Sequence, residues 1–281
     1  DGVDSVTTYF YYDKVGQLVL SRDAENYLSE YEYNGFGENV RVTRRRNKTT
    51  STASTTTRPT VSAHAKDSST YSYFDNAGRV VMVRDAESYI TETEYSDFGE
   101  VAKVTRRSLR TSSAVSTTTQ PAIVPDAGDA VTRFAYDKRG LLVSTTDALN
   151  AVETYSYDAF GNRTLVTAKN GGTTGYAYDR RGQLVSVTVQ RSASVSTVTR
   201  FTYDARGNRV TMTEAYGTSG ARTTSYVYDK LDRLVQTTYP QVSVTAANLQ
   251  STTMVSPKEY IAYDDRGNVI KTTASTGAET F

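Results

Sequence analysis

The sequence has no cysteine and no tryptophan, a single histidine and only five prolines in 281 residues. Without cysteine there can be no disulfide framework and no thiolate metal site. The lone histidine, His64, sits in a Ser/Thr-rich stretch with no second histidine to act with. That removes the partners a histidine-based metal centre or catalytic triad needs, and His64 reads as a solvated loop residue. No run approaches the ~20 apolar residues of a membrane-spanning helix. The 32 Lys+Arg and 31 Asp+Glu leave a net charge of +1, no excess with which to hold nucleic acid or an anionic membrane. No Gly-x-Gly-x-x-Gly or P-loop pattern opens a helix, and no cofactor is expected. The first residue is Asp1 and no basic-then-apolar leader follows it, so the chain reads as a mature or excised piece of something longer.

What the chain has is tyrosine, 22 of them with 8 Phe, among many Thr, Ser and Val. These are strand and turn formers. They recur with a period. Tyr12-Asp13-Lys14-Val15-Gly16 returns 62 residues later as Phe74-Asp75-Asn76-Ala77-Gly78, and 62 later again as Tyr136-Asp137-Lys138-Arg139-Gly140. Asp23-Ala24-Glu25 and Phe36-Gly37-Glu38 repeat in step with them. Within and beyond these blocks a shorter unit recurs. Its marker residues are Asp13, Asn34, Asp75, Ser96, Asp137, Asp158, Asp179, Asp204, Asp229 and Asp264, at steps of 21, 41, 21, 41, 21, 21, 25, 25 and 35.

The unit has a physical reading. The residue before each marker is aromatic: Tyr12, Tyr33, Phe74, Tyr95, Tyr136, Tyr157, Tyr178, Tyr203, Tyr228 and Tyr263. Most units carry a second ring two residues earlier, which puts both on one face of a strand. The marker carboxylate can accept a backbone N–H two residues on and start a turn. A glycine three residues later (Gly16, Gly78, Gly140, Gly161, Gly182, Gly207 or Gly267) supplies positive φ. A strand-like run follows. This is a β-hairpin written ten times. One hairpin is marginal in water, so the units must stack on one another. The expected fold is all-β, a single repeat array over 1–281 forming one continuous twisted antiparallel sheet.

All five prolines fall in the three long steps, as expected of a residue excluded from paired strand interiors. The Ser/Thr-rich stretches 47–70, 108–131 and 238–258 read as insertions on one rim with partial β structure, or else as hairpins that have lost their markers. Arg44-Arg45-Arg46 and Arg106-Arg107, again 62 apart, read as solvated strand ends with Arg over Tyr rings, or more sharply as an anion patch. The marker carboxylates read as turn formers ahead of cation ligands. The rings read as packing residues ahead of a sugar-stacking platform. Asn47-Lys48-Thr49 and Asn162-Arg163-Thr164 match the short glycosylation pattern, which is common by chance.

The unit Tyr-x-Tyr-Asp-x-x-Gly-x-Leu/Val resembles the YD repeat of RHS-repeat proteins. Tyr176-Ala177-Tyr178-Asp179-Arg180-Arg181-Gly182-Gln183-Leu184 is a full instance, and Phe201-Thr202-Tyr203-Asp204-Ala205-Arg206-Gly207-Asn208-Arg209 shows the Gly-Asn-Arg form. The resemblance implies a spiralling sheet that builds a hollow shell, enclosing a toxin or serving contact at a bacterial or animal cell surface. It implies a secreted or surface-exposed, non-catalytic structural segment, partnered by other repeats of its parent chain or by self-assembly, with an enclosed toxin or a surface glycan as further partners. Asn34 and Ser96 depart from the marker Asp, which suggests looser turns. No Asp-Pro-x-Gly cleavage core and no effector domain are found, and ten hairpins suit an arc or open spiral better than a closed shell. The alternative is an adhesion module that binds glycan or protein through the Ser/Thr-rich stretches, because loops commonly carry binding.

Overall fold

The computed structural model describes residues 7–112, 115–192, 194–245 and 252–275. Every regular element among them is a strand. Twenty strands belong to one antiparallel sheet and two form a separate ribbon. The chain divides into two compact units, 1–151 and 152–281.

In the first unit the strands are β1 (Tyr9–Tyr12), β2 (Leu18–Arg22), β3 (Leu28–Tyr33), β4 (Asn39–Arg44), β5 (Ser68–Phe74), β6 (Val80–Arg84), β7 (Ile90–Tyr95), β8 (Val101–Arg106), β9 (Ala130–Tyr136) and β10 (Leu142–Thr146). Each pairs antiparallel with the next in sequence, β1 through β10. The second unit repeats the scheme. It holds β11 (Val152–Tyr157), β12 (Arg163–Thr167), β13 (Thr173–Tyr178), β14 (Leu184–Ser192), β15 (Val195–Tyr203), β16 (Arg209–Glu214), β17 (Arg222–Tyr228) and β18 (Leu234–Thr238). β18 then pairs with β21 (Lys258–Tyr263), and β21 with β22 (Val269–Ser275). β19 (Val242–Thr245) and β20 (Thr252–Val255) make the separate ribbon within the third long stretch.

Every marker aromatic closes its strand at a bulge. Tyr11 faces Leu20 while Tyr12 faces Leu18, and the register shifts at the same place in all ten marker hairpins. The extra residue bends the strand and raises its local twist.

The opposite edge of the sheet has turns that sequence reading used only as evidence of duplication. At Asp23 the backbone N–H donates to Tyr27 O at 3.0 Å, and Asn26 N–H to Asp23 O at 3.1 Å. The same closure recurs at Asp85 and Asp147. No glycine serves here. Asn26, Ser88 and Asn150 take up φ of 72°, 77° and 61°. Asn is one of the few side chains that tolerates this region.

Among the described residues, the first two Ser/Thr-rich stretches carry no strand before β5 and β9 begin. Rather than extending a rim, they fold over one sheet face. Val61 packs on buried Tyr11, Leu20 and Leu28, and Ile123 packs on buried Tyr73, Met82 and Ile90. The two clusters are copies, each member 62 residues from its counterpart.

Candidate functional site

The chain's most repeated chemistry is the marker turn. In all eight Asp turns (Asp13, Asp75, Asp137, Asp158, Asp179, Asp204, Asp229 and Asp264) Oδ1 accepts the N–H groups two and four residues on, at 2.8–3.0 Å. The glycines Gly16, Gly78, Gly140, Gly161, Gly182, Gly207 and Gly267 lie at φ between 75° and 98°. This is a three-residue hairpin loop closed by a residue in the left-handed region. Asp232 fills that place after Asp229, at φ 61°.

The second carboxylate oxygen is also occupied in several turns. Asn162, Asn208 and Asn268 donate Nδ2–H to Oδ2 of Asp158, Asp204 and Asp264 at 2.9, 3.1 and 3.0 Å. These side-chain bonds, then the backbone N–H groups, hold the three carboxyls below the usual range. Arg79 does the same for Asp75. The asparagine of the Gly-Asn-Arg form is therefore a turn residue.

Asn34 and Ser96 do not loosen their turns. Asn34 N–H donates to Glu38 O at 3.0 Å and Ser96 N–H to Glu100 O at 2.8 Å, beside 2.9 Å in the Asp turns. Asn34 Oδ1 accepts Phe36 and Glu38 N–H at 3.0 Å, whereas Ser96 Oγ accepts Phe98 and Glu100 N–H at 3.2 Å, so only the side-chain part of the Ser96 turn is longer than in the Asp turns.

The marker tyrosine links one unit to the one before it. Tyr33 Oη donates to Leu18 O, Tyr95 to Val80 O, Tyr136 to Val101 O, Tyr178 to Arg163 O, Tyr203 to Leu184 O, Tyr228 to Arg209 O and Tyr263 to Leu234 O, at 2.8–3.1 Å. The acceptor is always the fifth residue after the preceding marker. Burial raises the pKa of Tyr136, Tyr178 and Tyr228. Tyr12, in the first strand, is 61% exposed. Tyr157 ends β11 opposite Arg163. Phe74 is the one marker aromatic without a hydroxyl. Arginines lie over several of these rings, as Arg79 over Tyr95 at 4.4 Å and Arg233 over Tyr263 at 4.6 Å.

The marker rings do not make the fully buried core. That core uses the other face, one residue earlier in each unit, where Tyr11 and Tyr73 lie. Their hydroxyls donate to Ser54 O at 2.8 Å and Ser116 O at 3.0 Å, tying each Ser/Thr-rich stretch to the sheet beneath it. In the second unit the equivalent positions are Ser156, Ala177, Thr202, Val227 and Ala262, all exposed. The face is covered where it carries Tyr11 and Tyr73 and open in the second unit, where the equivalent side chains are smaller.

The arginine clusters are neither solvated ends nor an anion patch at their key members. Arg45 pairs with Glu30 and, at 2.7 Å, with Asp67; Arg107 pairs with Glu92 and, at 2.6 Å, with Asp129. Asp67 and Asp129 stand at the far ends of the two stretches, so each pair clasps a stretch at its base. Asp67 Oδ1 also accepts Arg46 N–H, and Asp129 Oδ1 accepts Ser108 N–H. Asp67 stays low despite desolvation, because the N–H groups of Arg46 and His64, then Arg45, favour its charge. The N–H groups of Asp126 and Ser108, then Arg107, hold Asp129 far below the usual range. His64 is exposed in the first stretch, its Nδ1 accepting Lys66 N–H at 3.0 Å.

Residues 136–173 match the family model described as RHS Repeat. No curated protein sequence matches the chain. Among solved structures, one of TcdB2-TccC3 is similar at 16% identity and TM-score 0.53, over 98% of this chain and 16% of that one. The TcdB2-TccC3-TEV structure is similar at 16% identity and TM-score 0.52, over 98% of this chain and 15% of that one. The Tc holotoxin pore of Photorhabdus luminescens gives 18% identity and TM-score 0.52, over 98% of this chain and 15% of that one. The chain thus spans about one sixth of the length of the chains whose fold it shares. The chain thus carries an RHS repeat at 136–173 and, over nearly its whole length, shares the fold of these toxin-complex chains.

Proposed function

We propose that this chain is a non-catalytic structural segment, one stretch of a larger RHS-type β-sheet wall. The observation that carries the reading is the tyrosine link between successive units. In the Tyr203-Asp204 unit, as in the Tyr136, Tyr178, Tyr228 and Tyr263 units, the residues that look chemically active, an acid and a phenol, are spent on holding the backbone of that unit and its neighbour. The likeness to toxin-complex structures supports a wall in an exported assembly, enclosing a cargo or facing the outside of a cell, with other repeats of the parent chain as its first partners.

Limited proteolysis with trypsin tests this. Arg139, Arg181, Arg206 and Arg266 stand at exposed marker turns. In a rigid wall these tight turns resist cleavage, and early cuts fall only in 47–70, 108–131 and 238–258. Early cutting at the marker turns would contradict a scaffold role.

A further inference from the structure

The second of the two stretches that fold over the first unit also helps form a cleft between neighbouring modules. A cavity of about 540 Å³ lies between the Asn34 and Asp75 turns and is roofed by the tip of the second stretch. Phe36, Glu38, Phe74, Asn76, Thr117 and Gln120 line it. A second hollow of about 490 Å³ shares Asp75 and Gln120 with the first and continues toward Arg79 and Tyr95. Both are open to solvent, and together they form one run.

Three features of this run point to one ligand chemistry. The first is aromatic surface. The Phe36 ring stands at the lip, 91% exposed, and Phe74 forms part of the wall. An exposed ring beside a cleft offers a flat apolar face to the C–H side of a sugar.

The second is unspent hydrogen-bonding capacity. Glu38 Oε2 accepts from Asn34 Nδ2 at 2.6 Å, which leaves Oε1 toward the cleft without a donor. The side-chain amides of Asn76 and Gln120 and the hydroxyl of Thr117 line the cavity with no protein partner. Amides and a carboxylate together match hydroxyl groups, which both donate and accept.

The third is charge. Arg79, the one cation lining either hollow, is already paired with Asp75 at 2.7 Å. Glu92 and Glu94 are paired with Arg107 and Lys103. Glu38 is left as the uncompensated charge, so a phosphate, sulfate or uronate meets repulsion and no free cation.

The repeat pattern also breaks here. Phe74 replaces the tyrosine whose hydroxyl would reach the carbonyl of Asn39. Asn39 itself stands where the seven linked units named above have Leu, Val or Arg, and its Nδ2 is buried without a partner. Two departures from a tenfold pattern fall beside one cavity.

We infer that this cleft binds a neutral oligosaccharide, stacked on Phe36 and hydrogen-bonded by Glu38, Asn76 and Gln120. The inference is independent of the scaffold role. If no sugar binds, the wall reading stands, and if the wall reading fails, binding is still measurable.

The test is a ligand-observed NMR titration of the intact chain with cellohexaose, maltohexaose and chitohexaose, and with a heparin hexasaccharide as the acidic probe. At least one neutral hexaose binds and the heparin hexasaccharide does not. Phe36→Ala weakens the neutral sugar about tenfold, the upper end of what one ring contact supplies. Gln120→Ala weakens it as well. Phe98→Ala, at the equivalent turn 62 residues on and equally exposed, leaves affinity unchanged. Binding by no neutral hexaose, binding indifferent to both Phe36→Ala and Gln120→Ala, or equal binding of the heparin hexasaccharide would each overturn the assignment.

Discussion

The hydroxyl of Tyr203 donates to the carbonyl oxygen of Leu184 across 2.8 Å, joining the last residue of one unit's first strand to the first residue of the preceding unit's second. Tyr203→Phe removes that donor and nothing else. The expected loss is about 0.5–1.5 kcal/mol, measured as a lower urea midpoint with an unchanged slope. A midpoint equal to that of the wild type would mean the link carries no weight.

Phe74→Tyr is the converse experiment. By the rule the other units follow, a new hydroxyl there meets the Asn39 carbonyl. A gain of about 0.5–1 kcal/mol is expected, read in the same titration. Destabilisation would show that the first unit holds Phe74 in a different setting from its counterparts.

How much of this was legible in the sequence follows from how local each cause is. The marker turn could be read because its acid, glycine and ring lie within five residues and recur, the ring in all ten units, the acid in eight and the glycine in nine. The second set of turns was hidden because Asn26, Ser88 and Asn150 do the work of glycine. The core was hidden for a different reason. Tyr11, Leu20 and Leu28 come from three strands and meet Val61 from a distant stretch. Only the two-sided apolar runs of the first unit, such as Tyr-Phe-Tyr-Tyr and Val-Val-Met-Val, hinted that a second face needed cover. The pairing of Arg45 with Asp67 spans 22 residues and left no local sign beyond its repetition at Arg107 and Asp129.

The marker carboxylate is an acceptor first and a charge second. Asp204→Ala leaves the N–H groups of Arg206 and Asn208 without their 2.9 Å acceptor and should cost about 1–2 kcal/mol. Asp204→Asn should cost much less, because Asn34 makes the same two bonds in its own turn. Thermal melts of the two variants separate these outcomes; equal losses would mean that charge matters more than geometry.

Acid should open the two covering stretches before it melts the sheet. Asp67 and Asp129 have folded-state pKa values below the usual one. Their contribution is complete above the ordinary carboxylate range, near pH 4, and is lost as pH falls below it. In Asp129→Asn that pH-dependent part is absent at the second stretch. Hydrogen exchange across 108–129 should therefore be faster than in the wild type at pH 7 and converge with it at low pH. A gap that persists unchanged into acid would contradict the clasp.

The central claim is that the first unit is made of interchangeable modules, each complete with its turns, links and covering stretch. Excising 69–130, one full period, joins Ser68 to Val131 and leaves the remaining residues of β9 where those of β5 had been. The account predicts a soluble protein that keeps its β-sheet circular dichroism and unfolds in a cooperative transition. Loss of that transition, with the shortened chain unfolded or aggregated, would contradict it.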